Sequence, residues 1–238
     1  MQKYLSRAGV ASRRGAEELM AQGRVRVNGA VVTTPGRRIQ PGEDRVEVDG
    51  RTVEPEPFRW VMLHKPPATV TTADDPRGRR TVYDLLPSEL HGLSYVGRLD
   101  LDTEGLLLLS NEGDAIHGLL HPSFEVEREY RAGVEGEPRS GALERLVRGV
   151  ELEDGPAAAR EAERVGGEEG GAIVRVVLTE GRKREVRRLL AAVGHPVRWL
   201  RRVRFGPVAL GDLAPGRWRE LSDEEVAELR GRAGRSAG

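Results

Sequence analysis

The strongest pattern along the chain is an unbroken apolar run. Leu106, Leu107, Leu108 and Leu109 follow a charged turn, Arg98-Leu99-Asp100-Leu101-Asp102-Thr103-Glu104-Gly105, and give way to Ser110-Asn111. Such a run between turn residues predicts a strand buried on both faces, which leaves Asp100 on a loop anchored by core structure. Residues 60–63 predict a first buried strand, ended by Pro66 and Pro67. Further on the period is two: Phe124, Val126, Arg128, Tyr130, Ala132 and Val134 share one face, and Glu125, Glu127, Glu129, Arg131 and Glu135 the other. Residues 173–178 predict another strand, and Val197, Trp199, Arg201, Val203 and Phe205 alternate as one more. Val186, Leu189, Leu190 and Val193 recur at helical spacing, with Arg184, Arg187 and Arg188 as a second, basic stripe. Short helices are predicted near residues 115–120, 143–147 and 222–230, and a frayed tail over residues 230–238.

The first residues form a unit of their own. Tyr4, Leu5 and Ala8 share a helical face that Gly9 ends, and Ser12 is placed to cap a second helix running through Leu19 and Met20 to Gly23. Val25 and Val27 alternate with Arg24 and Arg26 up to Asn28-Gly29, a dipeptide suited to a type I′ hairpin. The predicted order is helix, helix, hairpin over residues 1–52. Arg13 and Arg14 at a helix start, beside Arg24 and Arg26 on a strand, make a patch suited to phosphates. Val53-Glu54-Pro55-Glu56-Pro57 predicts an extended linker over residues 53–58. A larger domain follows over residues 59–222, then a closing helix and tail over residues 223–238.

Composition narrows the class. The 238 residues are enough for a small and a medium domain with a real core. Cysteine is absent, which excludes disulfides and thiolate metal sites. No signal peptide or long apolar span is visible, so a soluble cytoplasmic protein without membrane contact is expected. Net charge is zero, but residues 60–180 carry −10 and residues 181–219 carry +9. A polyanion responds to such clustering rather than to the total. Arg182, Lys183, Arg184 and Arg188, next to Arg198, Arg201, Arg202 and Arg204, therefore mark a candidate RNA groove. The five histidines have no recognised metal spacing, and no phosphate-binding or dinucleotide loop is present.

The segment Gly97-Arg98-Leu99-Asp100-x-x-Thr103-x-Gly105-Leu106-Leu107-x-x-Ser110-Asn111-Glu112-Gly113 resembles the signature of the pseudouridine synthases that act on ribosomal RNA, the RsuA and RluB type. Leu5-Ser6-Arg7-Ala8-Gly9-Val10-Ala11-Ser12-Arg13-Arg14, with Gly23-Arg24-Val25-Arg26-Val27-Asn28-Gly29, resembles an S4 RNA-binding domain. The resemblance implies an α+β fold: a small S4 domain, then a catalytic domain on a mostly antiparallel mixed sheet. It also implies uridine isomerisation without a cofactor or metal. Asp100 would be the essential carboxylate, Tyr130 would lie against the uracil, and Arg187 would pair with Asp100. Arg98 would grip a phosphate or fill the space of the flipped base. Lys65-Pro66 resembles the family's first element, but Ala68 stands where the family usually has Gly, and Glu185 where Gln is common. The run from His121-Pro122-Ser123 to Glu129-Tyr130 resembles the large-subunit RluB type, which implies 23S ribosomal RNA as partner; a monomer is expected. Two alternatives stay open: a small-subunit 16S synthase, and a non-catalytic S4-type assembly factor that binds RNA without chemistry.

Overall fold

In a computed structural model of the chain, residues 1–40 and 42–234 are described, Glu168 by its main chain alone, so part of the tail expected at residues 230–238 lies outside the described residues. The chain divides into two compact units, Met1–Phe58 and Arg59–Gly238.

In the first unit, α1 (Gln2–Arg7) and α2 (Arg13–Ala21) pack on a four-stranded sheet. Ser12 caps α2 by accepting from the Gly15 N–H at 3.1 Å. Strands β1 (Val25–Val27) and β2 (Ala30–Val31) form the expected hairpin, with Asn28 and Gly29 both at positive φ. A second hairpin, β3 (Val46–Val48) and β4 (Arg51–Thr52), turns at Asp49-Gly50, so the order helix, helix, hairpin is one hairpin short. The signal was present: an Asp-Gly pair flanked by alternating valines. Residues 53–58 run along α1, where Tyr4 Oη donates to the Val53 carbonyl at 3.0 Å and Arg7 lies 4.0 Å from the Phe58 ring centroid.

The second unit is built on β5 (Trp60–Lys65), β6 (Ser94–Val96), β7 (Thr103–Ser110), β8 (Arg128–Glu135), β9 (Val150–Leu152), β10 (Gly155–Ala157), β11 (Glu161–Glu168), β12 (Gly171–Leu178), β13 (Val197–Phe205), β14 (Val208–Ala209) and β15 (Trp218–Glu220). Its helices are α3 (Gly113–Leu120), α4 (Ser140–Arg148), α5 (Glu185–Ala192) and α6 (Asp223–Ala233). Nine strands form one sheet, β11-β12-β8-β13-β7-β5-β15 with β14 on β13 and β6 on β7, and only β13 and β7 run parallel. β9 and β10 make a separate hairpin.

The four leucines of β7 are fully buried because both faces are covered. Leu106 and Leu108 pack with α3 and α6 residues such as Leu119 and Leu229, while Leu107 and Leu109 pack with Val82, Tyr83 and Leu90. Two patterns differ from expectation. β8 begins at Arg128, because a 3-10 turn over Pro122–Phe124 and Glu125 at φ 45° remove Phe124 and Val126 from the strand. In β13 the buried parity belongs to Leu200 and Arg202 instead of Trp199 and Arg201, and a register shift between Arg202 and Arg204 returns Phe205 to the core.

Candidate functional site

Asp100 is held from several sides on the turn before β7. Its carbonyl accepts from the Thr103 N–H at 3.1 Å, and Ala68 N–H donates to the Leu101 carbonyl at 2.8 Å. Thr71 Oγ1 donates to the Leu99 carbonyl at 2.9 Å. Ala68 adopts φ 58° although it carries a Cβ, so the left-handed geometry that usually favours Gly persists. Beneath the turn, Lys65 is fully buried and donates to the carbonyls of Thr103 at 2.7 Å and Pro66 at 3.0 Å. Burial lowers its pKa to about 8, while the charges of Asp102, Asp100 and Glu104 act the other way.

The turn opens on a cleft of about 520 Å³ that brings together Arg98, Asp100, Tyr130, Arg182, Lys183 and Arg184. Tyr130 projects from β8, between Val176 of β12 and Arg202 of β13 in register. Leu178, Val186 and Leu200 supply apolar walls. The half-buried carboxylate of Asp100 makes no side-chain hydrogen bond among the described residues, and it contributes to the electrostatic environment of Lys65, Arg184 and Arg187.

Arg187 takes a different partner from the one expected. Its Nη2 donates to the Asp102 carbonyl at 2.9 Å and lies 3.3 Å from Asp102 Oδ2, while Arg184 binds both Asp102 oxygens at 3.0 and 3.1 Å. The turn that shapes Asp100 sends Asp102 across to α5, where the two guanidinium groups meet it. Of the other basic residues, Arg188 grips Asp154 and Arg182 grips Glu180. Arg24 is held by Asp49, and Arg26 donates to the Gly29 carbonyl. Arg13, Arg14, Arg98 and Lys183 are exposed and form no ion pair among the described residues.

The run of arginines on β13 is divided by strand parity. Arg201 and Arg204 pair with Glu104, Glu127 and Glu129, which leaves Arg202 to line the cleft. Arg128 lines it too, and so does the buried Glu185; neither is among the site residues expected from sequence, where Glu185 is marked only as a variant of Gln. The signal for Arg128 was its place among apolar neighbours at period two. Among the described residues there is no cluster of groups able to hold a metal ion.

This sheet, with its carboxylate turn and tyrosine strand facing one cleft, has clear relatives. The family model described as RNA pseudouridylate synthase matches residues 59–192, and the S4 domain model matches residues 2–46. An uncharacterized RNA pseudouridine synthase of Aquifex aeolicus is 44% identical over 95% of this chain and 92% of its own. The ribosomal large subunit pseudouridine synthase B of Bacillus subtilis is 40% identical over 97% of this chain and 95% of its own. A crystal structure of a pseudouridylate synthase superposes with a TM-score of 0.66 at 28% identity, covering 94% of this chain and 96% of that one. The chain belongs to the RNA pseudouridylate synthase family, and its relatives named ribosomal large subunit pseudouridine synthase B, over nearly its whole length and S4 domain included, mark it as the RsuA and RluB type.

Proposed function

We propose that this enzyme isomerises a uridine of large-subunit ribosomal RNA to pseudouridine, as a cytoplasmic monomer, with Asp100 as the essential carboxylate. The observation that carries the reading is the placement of Asp100: pinned by its main chain, unpaired at its carboxylate, and opening on the cleft that Tyr130 also lines. Isomerisation breaks the C1′–N1 bond, turns the uracil, joins C5 to C1′ and moves the C5 proton. Asp100 would act at the sugar, by attack on C1′ or by removal of the C2′ proton. Tyr130 would stack on the base. Arg187 and Arg184 hold Asp102, and so fix the turn that carries Asp100.

The target uridine must leave its stack to reach the cleft, at a cost of a few kcal/mol. Arg98 and Lys183 on the cleft, and Arg13 and Arg14 on the S4 domain, are exposed cations in no ion pair among the described residues, suited to the RNA backbone. The large-subunit target is supported by the names of relatives such as the Bacillus subtilis enzyme and by the run ending at Tyr130. Mapping pseudouridine in unmodified large- and small-subunit ribosomal RNA after incubation with the enzyme tests this. A new site confined to large-subunit RNA is expected, and one confined to small-subunit RNA would overturn the target. Binding without any modification would favour the assembly-factor alternative.

A further inference from the structure

Arg202 and Arg128 are buried cations of the cleft that form no ion pair among the described residues. Arg202 is 2% exposed and Arg128 7%. Their protein acceptors are main-chain carbonyls: Arg202 Nε donates to Leu106 at 2.7 Å, and Arg128 Nη1 to Thr179 at 3.0 Å. Arg202 Nη2 is buried with no acceptor. Around them Arg182, Arg184, Arg187 and Arg188 each hold a carboxylate. A buried guanidinium without a counter-charge is costly unless a ligand supplies one. Arg128 and Arg202 sit over the Phe205 ring at 5.2 and 5.3 Å, and burial, with the nearby Arg202 charge, lowers the Arg128 pKa against the opposing influence of Tyr130 and, more weakly, of Glu185.

The sheet places Arg202 between the two residues assigned to the chemistry. β13 lies between β8 and β7; Arg202 is in register with Tyr130 on one side and with Gly105 on the other, on the strand that the Asp100 turn leads into. When the C1′–N1 bond breaks, its electron pair stays on the ring and spreads onto O2 and O4. This happens whether Asp100 bonds to C1′ or takes the C2′ proton. The uracil anion then bonds to C1′ through C5, Asp100 departs or returns its proton, and the C5 proton passes to N1. No electrons are gained or lost overall.

We propose that Arg202, with Arg128 behind it, holds the negative charge that develops on the uracil carbonyl oxygens as N1 leaves, an inference that rests on the proposed isomerisation. Donors fixed in advance in a water-poor cleft act where charge appears, and losing one such donor lowers kcat by about 100- to 1,000-fold.

The test is single-turnover conversion of unmodified ribosomal RNA at saturating enzyme, with Arg202→Gln and Arg202→Lys. The reaction is repeated with 6-azauridine at the target position, a base whose ring anion is more stable and which keeps its C5 hydrogen. Arg202→Gln is expected to slow uridine conversion about 100-fold, with the RNA Kd and its salt dependence unchanged and with a much smaller loss on 6-azauridine. An equal loss on both bases would overturn the proposal. So would a change confined to Kd and its salt dependence, which marks a phosphate anchor. If Arg202→Gln does not fold, Arg202→Lys and Arg128→Gln carry the same comparison between bases. Wild-type enzyme that converts no uridine would count against the proposed function itself; normal wild-type conversion with an equal loss on both bases counts against this inference alone.

Discussion

Glu185 shows how position changes the chemistry of a single side chain. It is 3% exposed, and burial raises its pKa from 4.5 to about 7; the Arg182 N–H, donating to Oε2 at 2.9 Å, opposes the rise and Glu180 adds to it. The folded protein thus keeps a proton that the unfolded chain releases, so stability falls as pH climbs from about 4.5 to about 7 and levels off above. Glu185→Gln is expected to melt higher than wild type at pH 8, by at most about 3 kcal/mol, with the difference closing near pH 5. Thermal melts at both pH values check this, and a difference independent of pH would contradict it. The sequence marked Glu185 only as a variant of Gln, because burial and its carboxyl neighbour arise from tertiary packing. Asp100 and Tyr130 were legible as residues, one from its motif and one from its strand. The partner of Arg187 was not, since both Asp100 and Asp102 lie on the turn that faces α5 and spacing does not choose between them.

At the scale of elements, the site depends on the close approach of β7 and β13. Gly105 has φ 111°, and a Cβ there would lie 2.2 Å from the Arg202 carbonyl oxygen. Gly105→Ala therefore combines a backbone conformation unfavourable to Ala with overpacking against main chain. A loss of about 3 kcal/mol is expected in denaturant unfolding. A variant as stable as wild type would show that the two strands tolerate separation. Hydrophobic period located nearly every large element, since β7, β12 and α5 each bury a continuous face. It failed where local geometry breaks the period: at the Glu125 turn before β8, and at the β13 bulge that turns Arg202 rather than Arg201 inward. A bulge leaves no mark in an alternating sequence, which is why, of the β13 arginines expected beside the RNA groove, Arg202 lines the cleft while Arg201 and Arg204 are ion-paired.

Across the whole molecule, zero net charge hides a division of labour. Glu104, Glu127 and Glu129 neutralise Arg201, Arg204 and Arg175, while Arg13, Arg14, Arg98 and Lys183 are exposed and in no ion pair among the described residues. The free residues should dominate binding to a polyanion. Replacing Arg13 and Arg14 together by Ala is expected to weaken RNA binding, to lower the slope of log Kd against log salt by about 2, and to leave the single-turnover rate at saturation unchanged. An unaltered slope would remove both residues from the RNA contact.

The central claim, that Asp100 drives uridine isomerisation, is tested most directly by the C5 proton. Ribosomal RNA transcribed with tritium at uridine C5 releases that label to water when C5 becomes bonded to C1′. Wild-type enzyme is expected to release tritium at one equivalent per modified site. Asp100→Asn, matched in folding and in RNA Kd, is expected to release none above background. Tritium release by Asp100→Asn at the wild-type rate would contradict the account.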